Sequence, residues 1–124
     1  MTKFYLIAGT INALLVVVLG AFGAHALKGR LTEAMLAVYQ TGIQYHFYHA
    51  VGLVLLGLIA LHINSPVMLK WSAGLMLAGI VLFSGSLYLL AITGTRWLGI
   101  ITPFGGTAFI LAWLLLAVAV YKGI

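Results

Sequence analysis

The sequence predicts an all-α integral membrane protein, on the evidence of its composition and of how its apolar residues are grouped. Hydrophobic residues make up 65% of the 124-residue chain and charged residues only 6%. The apolar residues form four blocks, each close to the 20 or so residues that a helix needs to cross a bilayer. A span in hydrocarbon must be a helix or part of a closed barrel, because unpaired backbone groups are costly there. Runs such as residues 14–19 lack the alternation of barrel strands, so four helices in a single domain are expected.

The first predicted span covers about residues 4–27, which contain no Lys, Arg, Asp or Glu. Small residues mark contact faces in membrane helices, and Gly9, Gly20 and Gly23 lie on one stripe of this span. Asn12 lies on the same side and is the one strongly polar residue well inside the span. We expect its amide either to bond a neighbouring helix or to form part of a polar path towards the histidines described below.

The connection between the first and second spans is itself predicted to be helical. Thr32 can cap a helix, and Glu33 lies in the favourable first turn. The spacing of apolar residues after them predicts a short interfacial amphipathic helix between spans 1 and 2. We expect it to run into the second span, about residues 43–63, with a bend at Gly42.

The third and fourth spans are predicted at about residues 69–92 and 103–121. Pro66 ends the preceding segment, Gly94 suits the residue after a helix, and Thr102 before Pro103 suits a helix start. Within the third span three small residues recur every seven positions, the spacing of a left-handed helix crossing. They are Ser72, Gly79 and Ser86.

The charge balance points to lipid rather than to nucleic acid. Six basic residues against one acidic residue give a formal net charge of +5. The basic residues lie near the predicted span ends, where they contact headgroups and influence topology. Four spans place both termini on one side, but the basic residues divide evenly between the sides and leave the orientation open. The expected partners are the lipid bilayer and either further copies of the chain or a larger membrane complex.

One segment stands apart because hydrogen-bonding side chains crowd the entrance of the second span. Helical geometry places Tyr39, His46 and His49 on one stripe, with Gln40 and Gln44 on another side. His25 at the end of the first span and Arg96 after the third are predicted at the same membrane face. The sequence therefore predicts one polar cluster of these residues: His25, Tyr39, Gln40, Gln44, His46, His49 and Arg96.

Several functions of such a cluster remain open at this stage. The favoured one is structural, with side chains that cap and cross-link helices by hydrogen bonds. His46 and His49 at i,i+3 with His25 could hold zinc or copper, two histidines could hold haem, and one histidine could sense protons. A quinone-like ligand or a small transporter subunit is also compatible. With Glu33 as the only acidic residue and no cysteine, paired carboxylates and thiolate chemistry are excluded, and we predict neither an enzyme nor a bound cofactor or metal.

Three motifs in order carry a resemblance to a known family. They are residues 20–27 (GAFGAHAL), residues 39–46 (YQTGIQYH) and residues 102–106 (TPFGG). With them the chain resembles, over essentially its whole length, the small bacterial membrane proteins of domain of unknown function 423, similar to transmembrane protein 256 of animals. The resemblance implies a multi-pass four-helix protein of the bacterial inner membrane and implies no activity. It also draws attention to the positions of His25, Tyr39, Gln40, Gln44 and His46, which belong to the family pattern.

Overall fold

The computed structural model describes all residues 1–124 and confirms the all-α membrane fold. Four helices are long and apolar enough to cross a membrane: α1 Thr2–Leu27, α2 Glu33–Ala60, α3 Pro66–Thr93 and α4 Arg96–Gly123. A helix of 28 residues extends about 42 Å, which exceeds the roughly 30 Å of hydrocarbon in a bilayer. The ends of α2, α3 and α4 therefore reach the headgroup region.

The segment before the second span differs from its prediction in one respect. Thr32 caps α2, and its hydroxyl accepts a hydrogen bond from the Met35 amide at 3.1 Å. From Glu33 onward, however, the helix is continuous through Gly42, so the amphipathic turns are the first turns of α2 and not a separate short helix. Gly42 is a contact point with α3, where an added Cβ would lie 2.8 Å from the Tyr88 ring.

The predicted helix ends after the third span are only partly correct. Gly94 ends α3 in the left-handed conformation with φ of 70°, as its position predicts. Helix α4 starts earlier than expected, because Arg96–Ile100 already forms a tight 3-10 turn that leads into the helix. Thr102 does not cap a helix; its hydroxyl lies 2.6 Å from that of Ser86 and ties α4 to α3.

Helices pack in two close pairs, α1 with α2 and α3 with α4, and α2 joins the pairs through α3. The α1 and α2 backbones meet at glycine, where a Cβ on Gly9 would lie 2.7 Å from both the backbone nitrogen and a side-chain methyl of Val54. The predicted stripe of the third span is confirmed as a contact face, with Ser72, Gly79 and Ser86 all buried. Ser72 also bonds the Ala112 carbonyl of α4 at 2.7 Å.

Two stretches of wider π-helical turn interrupt the regular helices, at Gly23–Leu27 and at Ile80–Gly85. Such turns are local irregularities that often accompany functional sites. The second one carries Ser84, whose hydroxyl donates to the Gly42 carbonyl of α2 at 2.7 Å. It also carries Phe83, whose backbone is in direct contact with Gly105 of α4. The π-helical turn of α3 is therefore one place where α3 contacts both α2 and α4.

The apolar core is divided into a large cluster near the chain termini and a small one at the opposite end. The large cluster includes Leu53, Leu56 and Met76, which are fully buried. The small cluster is built on Leu27, Tyr39 and Ala91.

Candidate functional site

His46 is the centre of a hydrogen-bonded chain that crosses three helices. Its side chain is only 3% exposed. Its Nε2 lies 2.9 Å from the Oδ1 of Asn12 on α1, and its Nδ1 lies 2.9 Å from the hydroxyl of Tyr88 on α3. The Asn12 amide nitrogen in turn donates to the Ala8 carbonyl at 2.8 Å. One imidazole thus links α1, α2 and α3 through polar contacts.

The direction of each bond in this chain follows from its last acceptor. The Ala8 carbonyl can only accept, so the Asn12 NH₂ group faces it and the Asn12 carbonyl oxygen faces His46. His46 Nε2 must then carry the proton and donate. In neutral imidazole the Nδ1 atom accepts, and the Tyr88 hydroxyl donates to it. A neutral His46 in this arrangement therefore has one tautomer, with its proton on Nε2.

Tyr39 stands beside this chain without belonging to it. Its hydroxyl donates to the Leu19 carbonyl of α1 at 2.5 Å, and its ring centroid lies 5.2 Å from that of Tyr88. The residue is 1% exposed, and an added Cβ at Gly23 would collide with its ring. The glycine of α1 therefore makes the space that this tyrosine fills.

His49 faces a different helix from His46 and forms a separate site. Its ring stacks on Phe109 of α4, with centroids 3.4 Å apart and planes 7° apart. The Trp113 indole donates to His49 Nε2 at 2.9 Å, so Nδ1 carries the proton and donates to the Tyr45 carbonyl at 2.6 Å. Both nitrogens are used, and this imidazole too is neutral with one tautomer.

The structure thus divides the cluster that the sequence predicts as one group. His46 meets Asn12 and lies near Tyr39, whereas His49 pairs with α4. His25, Gln40 and Arg96 are exposed at the bundle surface and make no side-chain hydrogen bonds. His25 lies in the π-helical last turn of α1, and Arg96 lies in the 3-10 turn that begins α4.

Gln44 is exposed on α2 and bonds only within its own helix. Its amide nitrogen donates to the Tyr48 hydroxyl at 2.5 Å. It has no contact with the His46 chain. Its partner Tyr48 lines an open groove between α2 and α4.

Two residues that complete these sites are absent from the sequence prediction. Tyr88 closes the His46 chain and Trp113 holds His49. The sequence did contain a signal for both residues. Tryptophan and tyrosine in membrane helices concentrate at the interfaces, whereas these two lie inside apolar runs. A polar aromatic residue away from the interface needs a partner for its N–H or O–H group.

The donor set does not favour a metal or haem site. No three His, Cys, Asp or Glu side chains come together as ligands. Zinc sites in proteins use three or four such ligands, and His25 lies apart from the other histidines. His46 and His49 each have both ring nitrogens engaged with protein groups, so neither presents a free nitrogen lone pair to an iron or zinc ion.

Comparison with known proteins places the chain in a family. The family model described as "Protein of unknown function (DUF423)" matches residues 19–106, which include His46, Tyr88 and all of α2 but not Asn12. The chain belongs to the DUF423 family. Several bacterial members named UPF0382 membrane proteins align with nearly the whole chain, and no solved structure matches it.

Two of these DUF423 relatives illustrate the similarity. YwdK of Bacillus subtilis is 50% identical over 120 residues, which cover 97% of this chain and 98% of the relative. SERP0230 of Staphylococcus epidermidis is 43% identical over 120 residues, covering 97% of each chain. The resemblance read from the three motifs is confirmed, and the protein is a bacterial-type membrane protein whose family name carries no enzymatic activity.

Proposed function

We propose that the protein is a non-enzymatic accessory or structural component of the bacterial inner membrane. The observation that carries this proposal is the complete pairing of its buried polar atoms, since no buried side-chain nitrogen or oxygen lacks a hydrogen-bond partner. A general acid, base or nucleophile must present a proton or lone pair to a substrate. Both nitrogens of His46 and the Nε2 of His49 instead bond groups on neighbouring helices, which supports a role in holding the bundle together.

The α-helical form of the spans supports a location in the inner membrane. Bacterial outer-membrane proteins cross as closed β-barrels with alternating residues. Four apolar α-helices are the form that crosses the inner membrane, and the named relatives are membrane proteins of bacteria.

An association with other membrane proteins or with further copies is supported by the position of α1. Its close packing is against α2 alone, and one flank remains open. Leu14, Val17 and Val18 on that flank are 55–69% exposed and uncharged. Membrane helices associate by close packing of such surfaces, which small residues and complementary shape make possible.

Native electrophoresis of membranes solubilised in a mild detergent tests this role. We expect the chain to migrate in an assembly larger than itself, and mass spectrometry of that band separates a homo-oligomer from a complex with other proteins. His46→Leu should remove the chain from the assembly in proportion to its loss of folded protein, whereas Tyr121→Phe at the exposed C-terminal end should not. A wild-type chain that migrates alone under these conditions contradicts the accessory role.

A further inference from the structure

A groove opens between α2 and α4 and has no part in the polar chain around His46. Its volume is about 820 Å³, within the range of roughly 300–1,000 Å³ typical of sites for drug-sized ligands. The wall is formed by His49 of α2, Phe83 of α3, and Phe109 and Trp113 of α4. These residues lie near the midpoints of their helices. The groove therefore faces the hydrocarbon interior of the bilayer, and a ligand would enter it sideways from the membrane.

The wall of this groove is aromatic and uncharged. Phe109 and His49 are stacked, the ring of Phe83 lies 5.6 Å from that of Phe109, and the ring of Tyr45 lies 4.7 Å from that of Phe83. The bonds from Trp113 and to the Tyr45 carbonyl keep His49 neutral and fixed. No Lys, Arg, Asp or Glu lines the groove. Such a wall suits a planar conjugated ring without net charge, which gains offset or edge contacts with aromatic side chains.

The edge of the groove has hydrogen-bonding capacity that the protein does not use. Tyr48 accepts a bond from Gln44, but its own O–H has no acceptor. The second N–H of Gln44 and the hydroxyl of Tyr45 are also without protein partners. All three side chains are exposed on a membrane-spanning helix. Polar groups turned towards lipid tails are costly and usually have a functional partner.

We propose that this groove binds the headgroup of a membrane-soluble amphiphile of the quinone or quinol class. The planar ring would lie against Phe83 and Trp113, and a ring oxygen would accept from the Tyr48 O–H, which the bond from Gln44 holds in place. Phospholipid is disfavoured as the specific ligand, because its charged headgroup belongs at the interface and the groove offers neither charge nor access to water. The isoprenoid or alkyl tail would continue into the surrounding bilayer.

Tryptophan fluorescence gives a direct test, since Trp113 lines the groove whereas Trp71 and Trp97 are exposed elsewhere. In a Trp71→Phe, Trp97→Phe background, Trp113 is the only tryptophan. Titration of this protein in lipid nanodiscs with decylubiquinone should give saturable quenching. Tyr48→Phe and Gln44→Leu should each raise the half-saturation concentration about five-fold, which is the effect of one lost hydrogen bond.

Matched controls separate the groove from general partitioning of the quinone into lipid. Tyr121→Phe and Gln40→Leu are exposed counterparts outside the groove and should leave the titration unchanged. Gly106→Leu should fill the groove and abolish saturation, whereas Gly74→Leu, where a Cβ meets nothing within 4 Å, should not. Each variant is compared at equal folded content by circular dichroism.

Two results would overturn the proposal. Quenching that rises linearly without saturation, equally with and without Gly106→Leu, means that the groove holds ordinary lipid or is covered by a second copy of the chain. Saturable quenching that is insensitive to Tyr48→Phe, Gln44→Leu and Gly106→Leu means that the quinone binds elsewhere.

Discussion

At the scale of single residues, the central feature is the pairing of each buried imidazole with two different partners. His46 joins Asn12 and Tyr88, and His49 joins Trp113 and the Tyr45 carbonyl. Hydrogen bonds between membrane helices contribute about 0.6 kcal/mol on average and up to about 1.7. Removing one partner costs more than the bond itself, because the other is left unsatisfied in a dry interior.

A double-mutant cycle on Asn12 and His46 should reveal this asymmetry. We expect Asn12→Leu and His46→Leu each to lower the free energy of unfolding by about 1–3 kcal/mol. The double variant should lose less than the sum of the two, since no orphaned polar group remains from that pair. Thermal or denaturant unfolding in detergent micelles measures the effect.

Thr10→Val is the matched control for this cycle, because the Thr10 hydroxyl bonds only carbonyls of its own helix. It should change stability by less than about 0.5 kcal/mol. Strictly additive effects of Asn12→Leu and His46→Leu would contradict the direct bond between them.

At the scale of helices, glycine sets how closely the backbones approach. Gly9 of α1 has Val54 and the Ala50 carbonyl of α2 within 3 Å of where its Cβ would be, whereas Gly20 on the same helix has nothing within 4 Å. The two positions differ in surroundings while their residue type and helix are the same. Substitutions at the two positions therefore distinguish the effect of close helix packing from the low intrinsic helix propensity of glycine.

Substitution by alanine at these two positions should have opposite effects. Gly9→Ala should destabilise the protein by about 1–3 kcal/mol, because α1 and α2 must move apart to make room. Gly20→Ala should be neutral or stabilise by up to about 1 kcal/mol, since alanine is the better helix former. Unfolding midpoints in micelles compare the two, and a stabilising Gly9→Ala would contradict the close α1–α2 contact.

At the scale of the whole molecule, four crossings require both termini on one side of the membrane. The turns between α1 and α2 and between α3 and α4 then lie on the other side. The chain contains no cysteine, so single cysteines introduced into it report their own position without a background. Membrane-impermeant thiol reagents applied to intact cells measure that position.

Thr2→Cys and Lys122→Cys should be labelled from the same side of the membrane, and Arg30→Cys and Arg96→Cys from the other. The reason is that each pair flanks an even number of spans. Labelling of Arg30→Cys and Arg96→Cys from opposite sides would contradict four crossings. The result also decides which face of the cell the termini occupy, which the even division of basic residues left open.

The sequence by itself determined the solvent in which this chain folds, the number of helices and much of the contact faces of the first and third. These follow from local physics: hydrocarbon excludes unpaired backbone, and a fixed turn of about 100° per residue sorts Gly9, Gly23 and Asn12 onto one side of α1. It also directed attention to the histidines of the second span, because polar residues deep in a span are rare and need partners.

The tertiary structure alone decided which polar residue meets which. The same helical stripe carries His46 and His49, yet one faces α1 and α3 while the other faces α4, because three helices surround α2 at different angles. Tyr88 and Trp113 become partners through contacts 42 and 64 residues away in sequence, and His25 and Arg96 are left at the surface. Helical periodicity fixes directions around one axis, but the order and spacing of the axes arise only from packing the whole bundle.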